Sequence, residues 1–454
     1  MASSTRTDRL RLAVATAGHT AEAIIMDARD RLLGRAALDG AEALEDALAS
    51  VIRRVIADAG IEPASVSHAM LASGELSRAL EDRALDRVAV IRVGSPLTHA
   101  VPPLAAWPRD LRDIVSGGEV IVGGGAEYDG RAAARLDEDG IAQFLEACGD
   151  DVDAVAITAI FSPIAPDHEL AAAAVVRREL GPDKRLCVSH DLGELGLVER
   201  ENAAVLNAAL GGAAQRVATA FENALQLARI PAEAFLARTD GALMAVALAR
   251  RMPVLMLGSG PANAMLGAVH LTGVHDAVVV HTSRTAATVG SVVHGLPREM
   301  ASPADMAGVR VGLPRPELRR LPLDGDRDAL VEAVDWARAD LPRPPVLLVG
   351  RDDGIDLSRL PGIGRVLRPA DGEIAAAVGT AIGEVTGRAN RITADRPDRR
   401  LEALAAAEDA AIALAVHAGA DPDRVHVVRI DETALTYDIE PVVWVGVKVA
   451  GPPG

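Results

Sequence analysis

The chain has 454 residues, 49% of them apolar, and a formal net charge of −17. That length supports two or three domains with substantial cores, and that apolar share excludes a disordered chain. The negative balance and the 2% aromatic content exclude phosphate-backbone binding and base stacking as the main function, so no nucleic-acid partner is expected.

The N-terminal MASSTRTDRLRL lacks an apolar signal core and runs straight into a strand, which points to a cytoplasmic protein. No apolar run reaches the length of a membrane span. Cys148 and Cys187 stand far apart without a spacing motif, which argues against a disulfide framework and a cysteine metal site. Lys184 and Lys448 are the only lysines; there is no GxxxxGK[ST] loop and no evident pocket for a lysine Schiff base.

In chain order, three short strands come first, Leu10–Ala15, Ala23–Asp27 and Leu32–Ala37, with turns at Gly18-His19 and Arg29-Asp30. A helix with apolar residues at helical spacing follows over Glu42–Ala59. Next come a strand near Ala69–Leu71, a short helix, a strand at Val88–Val93 and a Pro-rich connection from Pro96 to Pro108. A strand at Val120–Val122 leads through GGGAEYDG to a helix around Gly140–Ala147. A buried strand, Ala154–Phe161, leads through SPIAPDHE into a helix ending near Leu180. Strand Leu186–Ser189 and a long helix, Glu199–Leu227, complete the first half. The second half reads as strand Val254–Leu257, helix Asn263–His270, strands Ala277–Val280 and Val289–Val293, helix Asp326–Ala337, strand Pro345–Val349 and helix Glu373–Val385. A linker at Asp395–Arg399, helix Leu401–Ala418 and strands Val425–Ile430 and Val442–Val449 close the chain. Each half opens with strand–turn–strand and then alternates helix and strand, the plan of two similar α/β lobes around a cleft. The expected divisions are 1–195, 196–393 and a small α+β piece at 394–454.

The segment Leu257–Gly295 is the most telling. A tight Gly258-Ser259-Gly260-Pro261 turn opens a small-residue helix, and a Thr-rich turn, His281–Thr288, joins two strands. That is the layout of a phosphate-binding hairpin beside a helix N-terminus. Other candidates cluster earlier. Ser189 and His190 end a strand, where α/β proteins bind ligands. Glu199, Arg200, Glu201 and Asn202 open the next helix, where acidic groups also serve as ordinary caps. His168 and Glu169 begin a helix, as a cap with a surface ion pair or as part of a pocket. Asp240-Gly241 is a turn dipeptide or a site residue. His99, His168, His190 and Asp240 lack the close spacing of metal ligands, so no metal site is assigned among them. His270, His275, His294, His417 and His426 read as structural. No GxSxG elbow is present, and neither cysteine has a flanking His motif.

Several runs together resemble the hydantoinase/oxoprolinase family: Ile91–Pro108, GGGAEYDGR at Gly123–Arg131, AITAIFSPIAPDHE at Ala156–Glu169, SHDLGELGLVERENAAVLNAAL at Ser189–Leu210, TDGALM at Thr239–Met244, SGPANAMLGA at Ser259–Ala268 and HGLPRE at His294–Glu299. The likeness spans roughly Arg11 to Tyr437. It implies the actin-like, ribonuclease H-like fold of two lobes. It also implies ATP- and magnesium-dependent opening of cyclic amides such as 5-oxoproline or hydantoins, with a second hydantoinase-type subunit; self-association is a further option.

The phosphate loops depart from the family pattern. Where the first reads like DVGGTNTD, this chain has ATAGHTAE, Ala15–Glu22, keeping Gly18 and an acidic end. Where the second reads like DIGGTTTD, it has HTSRTAAT, His281–Thr288, with Thr285 retained. A GGG segment is Gly350-Arg351-Asp352, and a GTTHFTNA-like segment is ASGELSRA, Ala72–Ala79. Magnesium sites use carboxylates, and glycine pairs let backbone approach phosphate. Weak or absent ATP binding is therefore expected. Arg284 would take an anion or pair with Glu22 across the cleft.

The sequence thus nominates His190, Glu201 and Asp240 as catalytic. It nominates Ser189, Asn202, His168 and Glu169 as substrate-binding. Gly18, Glu22, Gly258, Ser259, Gly260, Arg284, Thr285 and Gly350 form the nucleotide-site remnant. Three functions follow: a subunit hydrolysing a cyclic amide, a non-catalytic scaffold or regulatory subunit, or a repurposed enzyme independent of ATP.

Overall fold

The computed structural model describes residues 10–40, 43–128, 130–193, 195–284, 286–300, 303–323, 327–338, 341–351, 357, 362–435 and 441–454. Two sheets share one plan. In the first, strands run in the order Leu32–Asp39, Thr20–Met26, Leu10–Ala17, Val66–Ser73, Glu233–Ala237. The first three pair antiparallel and the last two join in parallel. In the second, the order Leu318–Pro322, Ala286–Val293, Ala277–Thr282, Val346–Gly350, Val366–Leu367 repeats that pattern of directions. These are the two actin-like lobes that the sequence implies.

The first sheet continues through Leu243–Ala245, Val385–Ala394, Val442–Gly451 and His426–Leu435 to nine strands. The C-terminal α+β piece is therefore hydrogen-bonded onto the first lobe. Gly387 lets helix Pro397–His417 lie on that sheet, since a Cβ there would sit 2.0 Å from Ala411 O. The expected boundary at 195/196 falls between strands of this one sheet, and that at 393/394 falls within its strand Val385–Ala394.

Between Val66–Ser73 and Glu233–Ala237 the chain inserts a four-stranded parallel sheet, ordered Ser116–Gly123, Val88–Ser95, Ala154–Ala159, Arg185–Val188. Its two central strands, Val88–Ser95 and Ala154–Ala159, are buried on both faces, as is usual in parallel sheets. Ile91, Val93, Val155 and Ile157 face one apolar cluster, and Val88, Val90, Ala154 and Ala156 face the main core. Helix Leu197–Ala209 packs against it, with every residue from Arg200 to Ala209 buried. The strand order reverses direction between Val88–Ser95 and Ala154–Ala159, the position where open α/β sheets commonly bind ligands beyond the C-terminal strand ends.

Two helices, Ser259–Thr272 and Ala375–Ala381, lie between the lobes and touch both sheets. Gly267 and Gly379 bring them to backbone contact. A Cβ at either would stand 1.9 Å from Ala375 O or 1.8 Å from Asn263 O, respectively.

Four expected elements differ. Helix Glu373–Val385 shortens to Ala375–Ala381, and Val385 opens strand Val385–Ala394. Val254–Leu257 is not a strand; Pro253–Met256 forms a 3₁₀ turn, because Pro253 lacks a ladder donor and Val254 N–H goes to Asn207 Oδ1 at 3.1 Å. The helix Glu199–Leu227 divides at Leu210 into Leu197–Ala209 and Gly211–Leu227, where the Asp86 carboxylate takes the Gly212 N–H at 2.6 Å. The linker Asp395–Arg399 contains the start of helix Pro397–His417, with proline in the first turn.

Candidate functional site

Two places gather the nominated residues. The first is the cleft between the hairpins of the two lobes. Gly18 turns the first hairpin with φ 63°, and Thr20 Oγ1 donates to Ala17 O at 2.7 Å. In the second hairpin, Ser283 Oγ donates to Ala286 O at 3.0 Å; Thr285 lies outside the described residues. Gly350, with φ 92°, lets its strand pass the second hairpin, since a Cβ would meet Thr282 O at 2.1 Å. Gly258 and Gly260 flank Ser259 at the start of the interlobe helix. Gly258 N–H donates to Ser77 Oγ at 3.1 Å, and Ser259 is fully buried.

Charge crosses this cleft by an unexpected route. Arg284 does not meet Glu22; its partner is Asp39 at 3.4 Å, which also takes Arg351 at 3.3 Å. Asp39 ends the strand Leu32–Asp39 exposed, opposite Thr20 at the hairpin tip, whereas Glu22 lies two residues further from that tip and is half-buried. Arg35 binds Asp371 and Glu373, each at 2.9 Å. Burial first, then the charge of Glu373, pushes the Glu22 carboxyl up to about 7; Arg351 opposes and Asp39 adds to this. Burial pushes the His281 imidazole down to about 4, so it is neutral near pH 7. A magnesium–triphosphate needs carboxylate oxygens and open backbone. Ala15 and Ala17 offer no ligand, His281 is an uncharged nitrogen donor, and the Asp39 carboxylate is shared by two guanidinium groups. This donor set does not fit the group.

The second place is the C-terminal rim of the parallel sheet. Glu169, in the first turn of helix Asp167–Leu180, is fully buried. Its Oε1 accepts from Ala159 N–H at 2.7 Å and Ser189 Oγ–H at 2.6 Å. Its Oε2 accepts from His190 N–H at 2.9 Å and contacts His190 Nδ1 at 2.7 Å. Burial works to raise the Glu169 pKa, but hydrogen bonds from His190, Ser189 and Ser162 outweigh it and hold the carboxyl below its usual range. For His190, burial works downward, yet the hydrogen bond and charge of Glu169, with Asp191, raise it; Arg200 opposes. The His190 side chain is 18% exposed, and Nε2 lies 3.6 Å from Asp191 Oδ1. An imidazole bound to a carboxylate through Nδ1 presents Nε2 as a proton acceptor and donor.

The other nominated residues separate from this dyad. Glu201 is 1% exposed, and both of its oxygens meet Arg92, at 2.6 Å each. Arg92 also donates to the carbonyls of Thr98 and Val101, so the pair ties the Pro-rich loop to the helix. Asn202 is buried, accepting from Trp107 Nε1 at 2.7 Å and donating to Arg310 O at 2.8 Å. Asp240 sits in the turn before Leu243–Ala245, 3.4 Å from Arg238 and 4.0 Å from Lys448. Burial opposes its ionisation, but Arg238 and Lys448 prevail and lower its pKa. His168 is half-buried and its Nδ1 accepts from Gly125 N–H at 2.8 Å; His99 Nε2 bonds Ser95 Oγ at 2.9 Å. Of the four substrate-binding nominees, Ser189, Glu169 and Asn202 are buried and only His168 reaches solvent. Among the described residues no group of three or more His, Cys, Asp or Glu is placed to hold a metal ion, and no helix is long and apolar enough to cross a membrane. Sequence reasoning missed Arg92, Asp39 and Arg351. Arg92, a charge inside the apolar strand VAVIRV, was the readable signal.

No curated protein matches the chain. Among solved structures, a nucleotide-free acetone carboxylase, described under the mechanism of ATP-dependent acetone carboxylation, aligns with TM-score 0.73 at 13% identity. It covers 98% of this chain and 88% of its own. An ATP-dependent caprolactamase from Pseudomonas jessenii aligns with TM-score 0.74 at 17% identity and the same coverage. At such identities the likeness is one of fold. Residues 12–180 match the hydantoinase/oxoprolinase N-terminal region and residues 200–329 match hydantoinase/oxoprolinase. The chain belongs to the hydantoinase/oxoprolinase family.

Proposed function

We propose that this chain hydrolyses a cyclic amide of the 5-oxoproline or hydantoin type, as one subunit of a hydantoinase-type assembly, and that it does so without ATP. The observation that carries this reading is the Glu169–His190 dyad at the C-terminal ends of Ala154–Ala159 and Arg185–Val188 in the parallel sheet. His190 Nε2 takes a proton from water as the water oxygen attacks the ring carbonyl carbon. As the ring C–N bond breaks, the imidazolium returns that proton to the departing nitrogen, leaving a carboxylic acid that then ionises. Glu169 stabilises the imidazolium between the two steps and holds the ring by Nδ1. Family membership supports the substrate class, and one structural neighbour is a caprolactamase, which is named for a cyclic amide. The ion-paired cleft supports the absence of an ATP step.

The test is product formation from hydantoin and 5-oxoproline, read by mass spectrometry, with and without magnesium ATP. Turnover independent of ATP, lost in His190→Ala, is the expected outcome. Turnover that requires ATP defeats the reading. The same cleft favours a second reading, a scaffold or regulatory subunit. That reading predicts no turnover by this chain alone but a change in the rate of a co-expressed hydantoinase-type partner.

A further inference from the structure

The Glu169–His190 dyad is held by further buried side chains. The fully buried Ser189 hydroxyl donates to Glu169 Oε1 at 2.6 Å and accepts from Arg200 Nε at 2.9 Å. Arg200 is also fully buried, and its other nitrogens reach Ala159 O at 2.6 Å and Leu195 O at 2.9 Å. Ala159 in turn donates its N–H to Glu169 Oε1. Guanidinium and carboxylate are thus both fixed to Ala159, with the Ser189 hydroxyl bridging them and Ser162 Oγ 3.3 Å from that hydroxyl.

We propose that Ser189 and Arg200 are positioning residues for His190: Arg200, through the Ser189 hydroxyl, engages Glu169 Oε1 and leaves Oε2 to the imidazole. Its catalytic meaning rests on the hydrolase reading above; its physical content does not. A carboxylate with one oxygen saturated cannot rotate, so the ring it holds is fixed with the proton on Nδ1 and with Nε2 outward. The arrangement also moderates the charge around the ring. Glu169, from its helix, and the adjacent Asp191 favour the imidazolium, while Arg200, from helix Leu197–Ala209, opposes it. Arg251 lies 3.7 Å from Asp191 and draws on that carboxylate. The Cys187 thiol, pushed up to about 12 by burial, stays neutral. Without Arg200 and its hydroxyl bridge the carboxylates would raise the imidazole further and favour its protonated form more strongly.

The experiment is a pH titration of the full chain carrying ¹³C,¹⁵N-histidine, followed by NMR, with His190 assigned from His190→Gln. In the wild type the His190 proton is expected on Nδ1 and slow to exchange. In Ser189→Ala the titration midpoint is expected to rise by at least about half a pH unit, because Glu169 regains charge for the imidazole. Arg200→Lys, which keeps the charge and loses the fork, should fall between the two. The acid limb of kcat/KM should move with the midpoint. A wild-type proton on Nε2, or an unchanged midpoint in folded Ser189→Ala, overturns the proposal. The tautomer measurement needs no variant at the relay and stands if Ser189→Ala does not fold. No turnover by the wild-type chain, with the midpoint still raised in Ser189→Ala, defeats the hydrolase reading and leaves the positioning role intact.

Discussion

Glu169 and Glu201 are both sealed from water, yet their partners give them opposite uses. Glu201 meets a guanidinium that cannot give up its proton, so the pair is a fixed strut. Glu169 meets an imidazole that can, so its charge is available to a proton transfer. Arg92→Met leaves the Glu201 charge buried and alone, and a loss of about 3–5 kcal/mol in urea unfolding is expected. His190→Ala is expected to lower kcat about 10²–10⁴-fold with the fold retained by circular dichroism, and Glu169→Gln to lower it comparably. An unchanged kcat in both variants would remove the dyad from the chemistry. The sequence made His190, Ser189 and Glu169 legible as a group because they sit at strand and helix ends. It did not make their roles legible. Sequence position says where a side chain starts, while the structure shows Glu169 and Ser189 buried and hydrogen-bonded to each other, with Glu169 also bonded to the histidine.

The hairpins titrate against each other. Glu22 has a folded pKa of about 7, above its unfolded value, so the fold prefers it protonated. Its contribution is present below the ordinary glutamate pKa and is lost as pH rises toward 7. His281, with a folded pKa of about 4, lies below its unfolded value; its contribution is present above the ordinary histidine pKa and is lost as pH falls toward 4. The two slopes oppose each other across the same acidic window, so the wild type should show a flat stability profile there. Glu22→Gln removes one slope, and its stability should then fall on acidification while rising by about 2 kcal/mol at pH 8. Thermal melts across pH 4.5–8 read both effects; a Glu22→Gln profile parallel to the wild type would show that Glu22 does not titrate there. The interlobe helices make a sharper demand. Gly267→Ala places a methyl against a main-chain carbonyl that cannot swing aside, so a loss of about 3 kcal/mol or more, or insoluble protein, is expected. Both hairpins were legible from alternation around a turn. Glu233–Ala237 and Leu243–Ala245 were not, because strands of five and three residues carry too little periodicity and are defined by their pairing partners.

At the scale of the molecule, chain order hides the architecture. The first lobe's sheet begins at Leu10 and is completed by strands near the C-terminus, with Arg388 paired to Lys448 and Leu243 to Val385. Reading along the sequence cannot see a sheet that closes across hundreds of residues. The same distance separates the groups that face each other across the cleft. Asp39 takes Arg284 and Arg351 at one rim, and Glu81 takes Arg320 at 3.0 Å at the other. Each of these exposed pairs is worth about 0.2–1 kcal/mol, so together they bias the lobes toward closure by roughly tenfold. Asp39→Ala/Glu81→Ala is accordingly expected to speed hydrogen exchange of the Gly18–Thr20 and Ser283 amides about tenfold. In the wild type, raising salt from about 0.1 to about 1 M should act in the same direction, because screening shortens the reach of every pair. Millimolar magnesium ATP should slow none of these amides. Protection by ATP would mean that the cleft still takes nucleotide despite Ala15, Ala17 and His281, and the ion pairs would then be a resting closure that a ligand displaces.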